Sequence, residues 1–451
     1  MTGDTLAAPA SGANFSDAIL QNRIQAAKLS DDDSWIEIGP TQLAYDEWAQ
    51  AGLAFPDLDR MRKYRLQRIV HGLNQRDLAG ILLFDPISIR YACDITQNQL
   101  WNGHDTFRAC LVCADGHMVL WEQRGRKSAS RINSLVSEIR SGGCFSYKSI
   151  GAGSMDGAAK FAGQIEQILQ QHVGTNRRLA VDNIPIAGFI ALEDKLIDIS
   201  NGEELMQRAR AIKGKDEILA MRCALFACEQ SVAAMRKLVR DGLCEDELWT
   251  ELGRQNLKRG GEGMFARTLV SGPRTNPWYQ ECAPRFLSAG ELLAFDTNMI
   301  GCFGMYTNIS RTWFVGDGEP TSRQLEIHKI AHDHISENAQ LVRPGATFRE
   351  LGRTGHELPA PYDSQRHNTL FDGIGLSCEW PAIKGAQDWE QYGYDGVLQP
   401  GMVLCAEAYV GEDDGPDGVK LADQLLVTET GFENLTRCPF DPHLMVMTGS
   451  K

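Results

Sequence analysis

Apolar positions recur at helical spacing through residues 61–78, MRKYRLQRIVHGLNQRDL, and predict an amphipathic helix. The next stretch, AGILLFDPISIRYACD at 79–94, is apolar almost throughout and reads as a buried strand. Two apolar runs flank Asp115-Gly116 in FRACLVCADGHMVLWEQRG, the pattern of a β-hairpin. Residues 177–195 repeat the order strand, loop, helix, so the chain up to residue 201 predicts an α/β domain. From residue 203 the pattern changes. Two helical segments separated by Gly214 and a third at 246–260 precede strand-like runs at 264–271, 291–299 and 305–315. A long helix is predicted at 321–342 and a shorter one after Pro344-Gly345. Further strands are predicted at 370–378, 402–410 and 419–428. Helices among antiparallel hairpins make this half α+β. The predicted organisation is an irregular, polar arm at 1–35, an α/β domain at 36–201 and an α+β domain at 202–451.

Composition narrows the class. The chain has 451 residues, too many for one ordinary core, with 43% hydrophobic and 23% charged residues, as in soluble globular proteins. A formal net charge of −14 argues against nucleic acid and anionic membrane as partners. No run of 18 apolar residues is present, and the first 20 residues lack a secretory pattern. Together with 12 cysteines at scattered spacings, this predicts a cytoplasmic protein with reduced thiols. Cys110 and Cys113 have CxxC spacing, but they lie in an apolar β-like run and read as core residues.

Candidate chemistry concentrates in FDTNMIGCFGMYTNISRTW, residues 295–313. If this is one hairpin turning at Gly301 to Gly304, Asp296 and Asn298 share a face, with Tyr306, Asn308 and Ser310 on the returning strand. Buried oxygens crowded in this way need a cation, a substrate or a hydrogen-bond network. Asp372, Cys378 and Glu379 follow in LFDGIGLSCEWP, while Glu407 and Asp423 interrupt apolar strands, where an acid is buried only with a partner. Arg267, Arg274 and Arg311 offer a clamp for a substrate carboxylate. Trp278 and Tyr279, with Trp101, Trp380 and Trp389, offer aromatic faces for an onium group. His328 and His332 have zinc-compatible spacing on a helix but no accompanying acid motif, and read as a solvated helix face.

These stretches carry a resemblance. The second half resembles the pita-bread fold of creatinase and the proline and methionine aminopeptidases. Residues 36–440 more closely resemble the DddP-type dimethylsulfoniopropionate lyases, through segments such as IEIGPTQLAYDEWAQAGL, RAIKGKDEILAMRCA and SGPRTNPWYQEC. The resemblance implies a homodimer acting on a small-molecule substrate. It also implies two metal ions held by three Asp, one His and two Glu, yet the matching positions here are Asp296, Asn298, Asn308, Asp372, Glu407 and Ala422. The family's general base corresponds to Cys378, and creatinase's catalytic His to Tyr279. With amides and an alanine in place of bridging carboxylates, no two-metal centre, no bound metal and no other cofactor is expected; the alternative is one hard ion such as Mg²⁺ or Ca²⁺ on Asp296, Asp372, Glu407 and amide oxygens.

The expected catalytic set is Asp296, Asp372, Cys378, Glu379 and Glu407. The expected substrate-binding set is Arg274, Trp278, Tyr279, Asn298, Asn308 and Trp380. Their expected use is metal-independent cleavage of a C–S or C–N bond in a small carboxylated, sulfonium- or betaine-like metabolite. The alternatives are a ligand-binding scaffold without turnover and a metal-dependent dimethylsulfoniopropionate lyase with a reduced site. The Asn298 and Asn308 amides are expected to donate hydrogen bonds to the retained carboxylates. Those carboxylates are expected to raise the pKa of a pocket-facing Cys378 thiol.

Overall fold

The computed structural model describes residues 38–96, 108–122, 132–141 and 143–445; the arm predicted at 1–35 and Trp101 lie outside them. Helix Leu58–Gln75 starts where Asp57 accepts a hydrogen bond from the Arg60 amide, and it buries Met61, Ile69 and Leu73 at helical spacing. Strand β1 (Gly80–Leu83) then enters the core, but the strand expected through residue 94 stops there. Asp85 caps a second helix, Pro86–Cys93, because an Asp-Pro pair presets its first turn. The hairpin about Asp115-Gly116 is β2 (Ala109–Cys113) and β3 (Met118–Trp121), with Gly116 at φ +91°. Cys110 and Cys113 are fully buried in it. With β4 (Glu138–Arg140), β5 (Arg178–Val181) and β6 (Asp198–Asn201) these strands form a sheet ordered β4-β3-β2-β1-β5-β6, backed by helix Ser154–Val173.

Helices Glu203–Ala211, Lys215–Arg236 and Glu245–Lys258 follow. Lys215–Arg236 is long and apolar enough by composition to cross a membrane, but much of its apolar length lies inside the protein. The three strands expected between 264 and 315 are each split in two. β7 (Gly263–Met264), β10 (Met299–Ile300) and β11 (Tyr306–Thr307) form a small sheet of their own. β8 (Leu269–Ser271), β9 (Leu292–Asp296) and β12 (Ser310–Phe314) join the large sheet. The chain changes sheets at Thr297–Asn298 and again at Asn308, with Asn298 in the left-handed region at φ +43°. Asparagine tolerates that conformation better than most residues with a side chain. Asp296 and Asn298 are therefore not neighbours on one flat strand but sit on either side of a bend.

The segment expected as one strand at 370–378 is a hairpin, β13 (Phe371–Ile374) and β14 (Cys378–Ile383). β15 (Val403–Gly411), β16 (Gly418–Val427) and β17 (Phe432–Asn434) complete the large antiparallel sheet, whose order is β14-β13-β15-β16-β12-β9-β8 with β17 on β16. Helix Ser322–Gln340 packs on one face of β15 and β16. The solvated face expected for its histidines is half wrong. His328 is 1% exposed and lies beside Phe440, because the C-terminal segment folds back over this side of the helix.

Candidate functional site

The site lies on the other face of the large sheet, and strand register assembles it. Asp296 on β9 pairs with Ser310 on β12, Ser310 with Ala422 on β16, and Ala422 with Glu407 on β15. Residues paired across adjacent strands point the same way, so these four make one transverse row. β13 extends it, because Asp372 pairs with Cys405, two residues from Glu407. Lys420 stands two residues before Ala422 on β16 and therefore on the same face.

Lys420 changes the chemistry of the row. The residue is 0% exposed, and its Nζ forms an ion pair with Glu407 Oε2 and a 3.2 Å hydrogen bond to Ser310 Oγ. Asn308 Nδ2 donates to the other Glu407 oxygen at 2.7 Å. One of the two amides thus behaves as expected. Asn298 also lies against the Asp296 carboxyl, which it helps to lower, but its Nδ2 donates as well to Thr268 Oγ1 at 3.1 Å and to the Asp296 main-chain carbonyl at 3.3 Å, and its Oδ1 accepts the Tyr306 hydroxyl. Asp296 Oδ1 and Asn308 Oδ1 are buried and have no partner within the protein.

Burial pushes the Asp296 carboxyl up to about 7, with the Glu407 charge adding to the effect and Lys420 opposing it. Burial also works against the charge of Glu407, but the Lys420 ammonium outweighs it and holds that carboxyl low. Asp372 is raised by burial and accepts the Thr369 hydroxyl at 2.6 Å. Burial lowers the His367 imidazole, which stands among Glu407, Lys420 and Asp372. Cys378 opens β14 on the exposed rim. Desolvation, then Asp372 and Glu407, push its thiol well above the usual range.

Other expected residues are placed elsewhere. Glu379 is buried with Arg210 at 3.1 Å and Lys213 at 2.7 Å, an ion cluster beside the helix Glu203–Ala211. Trp278 packs with Val270, Ala294 and Tyr409 in a small core cluster. Trp380 lies against Phe348 and under the Arg208 guanidinium, and Trp389 is buried in the core behind the sheet. Arg274 is paired with Glu245, Arg267 with Glu281, and Arg311 with Asp423. Among the described members of the aromatic set, Tyr279 alone is free to meet a ligand here: it is 68% exposed, its ring is 6.0 Å from that of His367, and its φ is +72°. That conformation is costly for an aromatic residue and accompanies functional positions more often than ordinary ones.

Lys420 and His367 were not among the expected residues. A lysine inside GVKLADQLLV, two positions from the alanine at a ligand position, is the signal that would have found the first. His367 lies in a loop before β13, and no local pattern marks it.

The arrangement does not fit two metal ions. Both Glu407 oxygens are engaged by an ammonium and an amide, Ala422 offers no donor, and a buried positive charge already stands in the row. Among the described residues, the one group of three His, Cys, Asp or Glu donors within 4.8 Å of one another lies elsewhere, on the N-terminal sheet.

Residues 220–429 match the model of metallopeptidase family M24. The chain is 48% identical over 419 residues to the dimethylsulfoniopropionate lyase DddP of Roseovarius nubinhibens, covering 92% of this chain and 94% of that protein. It is 44% identical over 415 residues to the DddP of Roseobacter denitrificans, covering 91% and 93%. The fold is that of solved proline-specific peptidases. The Xaa-Pro dipeptidase of Bacillus anthracis superposes with a TM-score of 0.66 at 21% identity, over 83% of this chain and 98% of that one. The prolidase of Pyrococcus horikoshii gives 0.66 at 19%, over 83% and 99%. At this identity over almost its whole length, the chain belongs to the DddP family of dimethylsulfoniopropionate lyases, built on the pita-bread fold of the M24 metallopeptidases.

Proposed function

We propose that this protein cleaves a C–S or C–N bond in a small carboxylated onium metabolite, with protein acids and bases in place of the family's two metal ions. The observation that carries the reading is the Lys420 ammonium inside the row formed by Asp296, Ser310, Ala422 and Glu407. It supplies fixed positive charge where a divalent ion would otherwise be needed.

Elimination from a sulfonium or ammonium propionate requires a base to remove a proton from the carbon next to the carboxylate. The freed electron pair forms a C=C bond, the C–S or C–N bond breaks, and a neutral thioether or amine leaves. Asp296 is the best-placed base: its carboxyl titrates near neutrality and one oxygen has no partner in the protein. The removed proton then rests on Asp296. Asp372 with His367 forms the second proton-handling pair. The field of Lys420 offsets charge that grows on the substrate carboxylate as the proton leaves. The exposed ring of Tyr279 gives the onium group a π face. Glu379, bound by Arg210 and Lys213, is tied into an ion cluster beside the row.

The test is turnover by chelator-treated protein of dimethylsulfoniopropionate and of betaine and guanidino acids, read as volatile thioether or amine released. Turnover is expected to survive chelation, and Asp296→Asn to lower kcat by about 100-fold or more. Activity that appears only on adding a divalent metal ion overturns the reading. The absence of both turnover and thermal stabilisation with every acid points instead to a scaffold.

The same reading extends to a homodimer. Leu257, Phe265 and Phe286 are each more than 60% exposed, apolar area that a second subunit would cover. Light scattering should give twice 49.9 kDa; a clean monomer mass at micromolar concentration refutes it.

A further inference from the structure

The three-donor group on the N-terminal sheet is built from parts far apart in the chain. His117 lies at the β2–β3 turn, Glu138 begins β4, and His172 is in the last turn of helix Ser154–Val173. One donor atom from each lies within 4.8 Å of the others. The two imidazoles stack face to face, with centroids 3.6 Å apart and planes 16° from parallel.

Asp115 holds both histidines, His117 by its main chain and His172 by its ring. Its Oδ1 accepts the His117 main-chain N–H at 2.9 Å, and its Oδ2 is 2.9 Å from His172 Nδ1. An ionised carboxylate only accepts, so Nδ1 of His172 carries the proton and Nε2 keeps its lone pair. A carboxylate behind a histidine is the arrangement that fixes the tautomer of a metal-binding imidazole. His117 Nε2 lies 3.1 Å from Glu138 Oε1, while Arg140 holds the other oxygen of Glu138 from its Nε at 2.8 Å. Hydrogen bonds from the His117 amide and the His172 ring hold Asp115 below the usual carboxylate range against partial burial, and Arg140 does the same for Glu138. The His117, His172 and Glu138 side chains are 17%, 24% and 36% exposed, which leaves solvent a way in.

We propose that His117, His172 and Glu138 bind one divalent ion of the zinc, cobalt or nickel class, with Asp115 as the positioning residue. Two imidazoles and one carboxylate suit these borderline ions, with solvent in the remaining position, once one of the stacked rings turns so that its in-plane lone pair meets that of the other. Binding displaces the proton shared between His117 Nε2 and Glu138. The bound ion clips the β2–β3 hairpin and β4 to the end of the helix, so its role is to stiffen the N-terminal sheet. The site is separate from the Lys420 row, which belongs to the other large sheet.

The test uses the full-length protein stripped of metal, then titrated with Co²⁺ followed by visible absorption and with Zn²⁺ followed by calorimetry. One equivalent of tetrahedral or five-coordinate Co²⁺ is expected, together with a Zn²⁺-dependent rise in Tm. His172→Ala and His117→Ala should each weaken binding about 100-fold and abolish the rise, and Asp115→Asn should weaken it about 10-fold. Unchanged metal-free Tm values in these variants show that loss of binding is not loss of fold. Binding that is unaffected in His172→Ala, or no binding at 100 µM metal beyond that of an unrelated protein, overturns the proposal. So does binding that is lost in Glu407→Gln but kept in the histidine variants.

Discussion

Replacing Lys420 by methionine tests the charge balance of the site most directly. Lys420 and Glu407 are 0% and 2% exposed, and water does not replace the ammonium when it is removed. Methionine nearly matches the lysine stem in volume, so packing changes little and the loss is mainly electrostatic. Glu407 is left with the Asn308 amide and the Cys405 thiol as its remaining hydrogen-bond partners. Breaking a buried ion pair by removing one partner costs about 3–5 kcal/mol, a large share of the roughly 5–15 kcal/mol that holds a domain folded. Urea unfolding at pH 7.5 should show that loss in the midpoint, with the slope unchanged. The pH dependence has a definite sign. Without Lys420 the folded-state pKa of Glu407 rises above its unfolded value. The penalty is then full above the raised pKa and fades as pH falls through it toward the unfolded pKa. Lys420→Met with Glu407→Gln should recover most of the loss, giving a coupling energy of about 2 kcal/mol or more. A single variant within about 1 kcal/mol of the parent, with no coupling in the double variant, would refute the assignment of Lys420 as the counter-charge.

Acid sensitivity should come partly from two buried histidines. His328 is lowered to about 4 and His334 to about 3, in both cases first by burial and then by a neighbouring histidine, against about 6.5 in an unfolded chain. Their contribution is whole above pH 6.5. It falls as pH drops toward the folded values, by up to about 1.4 kcal/mol per pH unit for each. His328→Leu should flatten the stability profile between pH 6.5 and 5, and an unchanged profile counts against burial as the cause. Asn308→Asp replaces a 2.7 Å donor to Glu407 with a like charge and should cost roughly 2–4 kcal/mol without creating a two-metal site, as melting and elemental analysis would show. The Cys378 thiol, raised by desolvation and by Asp372 and Glu407, should alkylate slowly at pH 7 despite its exposed position. Rapid alkylation that abolishes turnover would instead make it the nucleophile.

The local patterns of this chain sufficed for the hairpin at Asp115-Gly116, the helices about Gly214 and the long strands that carry Glu407 and Ala422. Those features rest on period, turn residues and caps, which act over a few neighbouring positions. The kinship was equally legible, since motifs such as SGPRTNPWYQEC are contiguous. The breaks at Asn298 and Asn308 were not. A strand that leaves one sheet for another keeps its apolar alternation, and the bend shows only in φ. Lys420 reads locally as an odd lysine in an apolar strand; its meaning depends on Ala422 lying opposite Glu407, a register set by pairing between strands. Glu379 and Trp278 looked equally suited to a pocket, but Arg210, Lys213 and Tyr409 claim them from other parts of the fold. His117 and His172 stand 55 positions apart in the chain and 3.6 Å apart in space. Charge compensation and ligand convergence are non-local: the partners that satisfy a buried group are chosen by packing, and no short-range pattern encodes them.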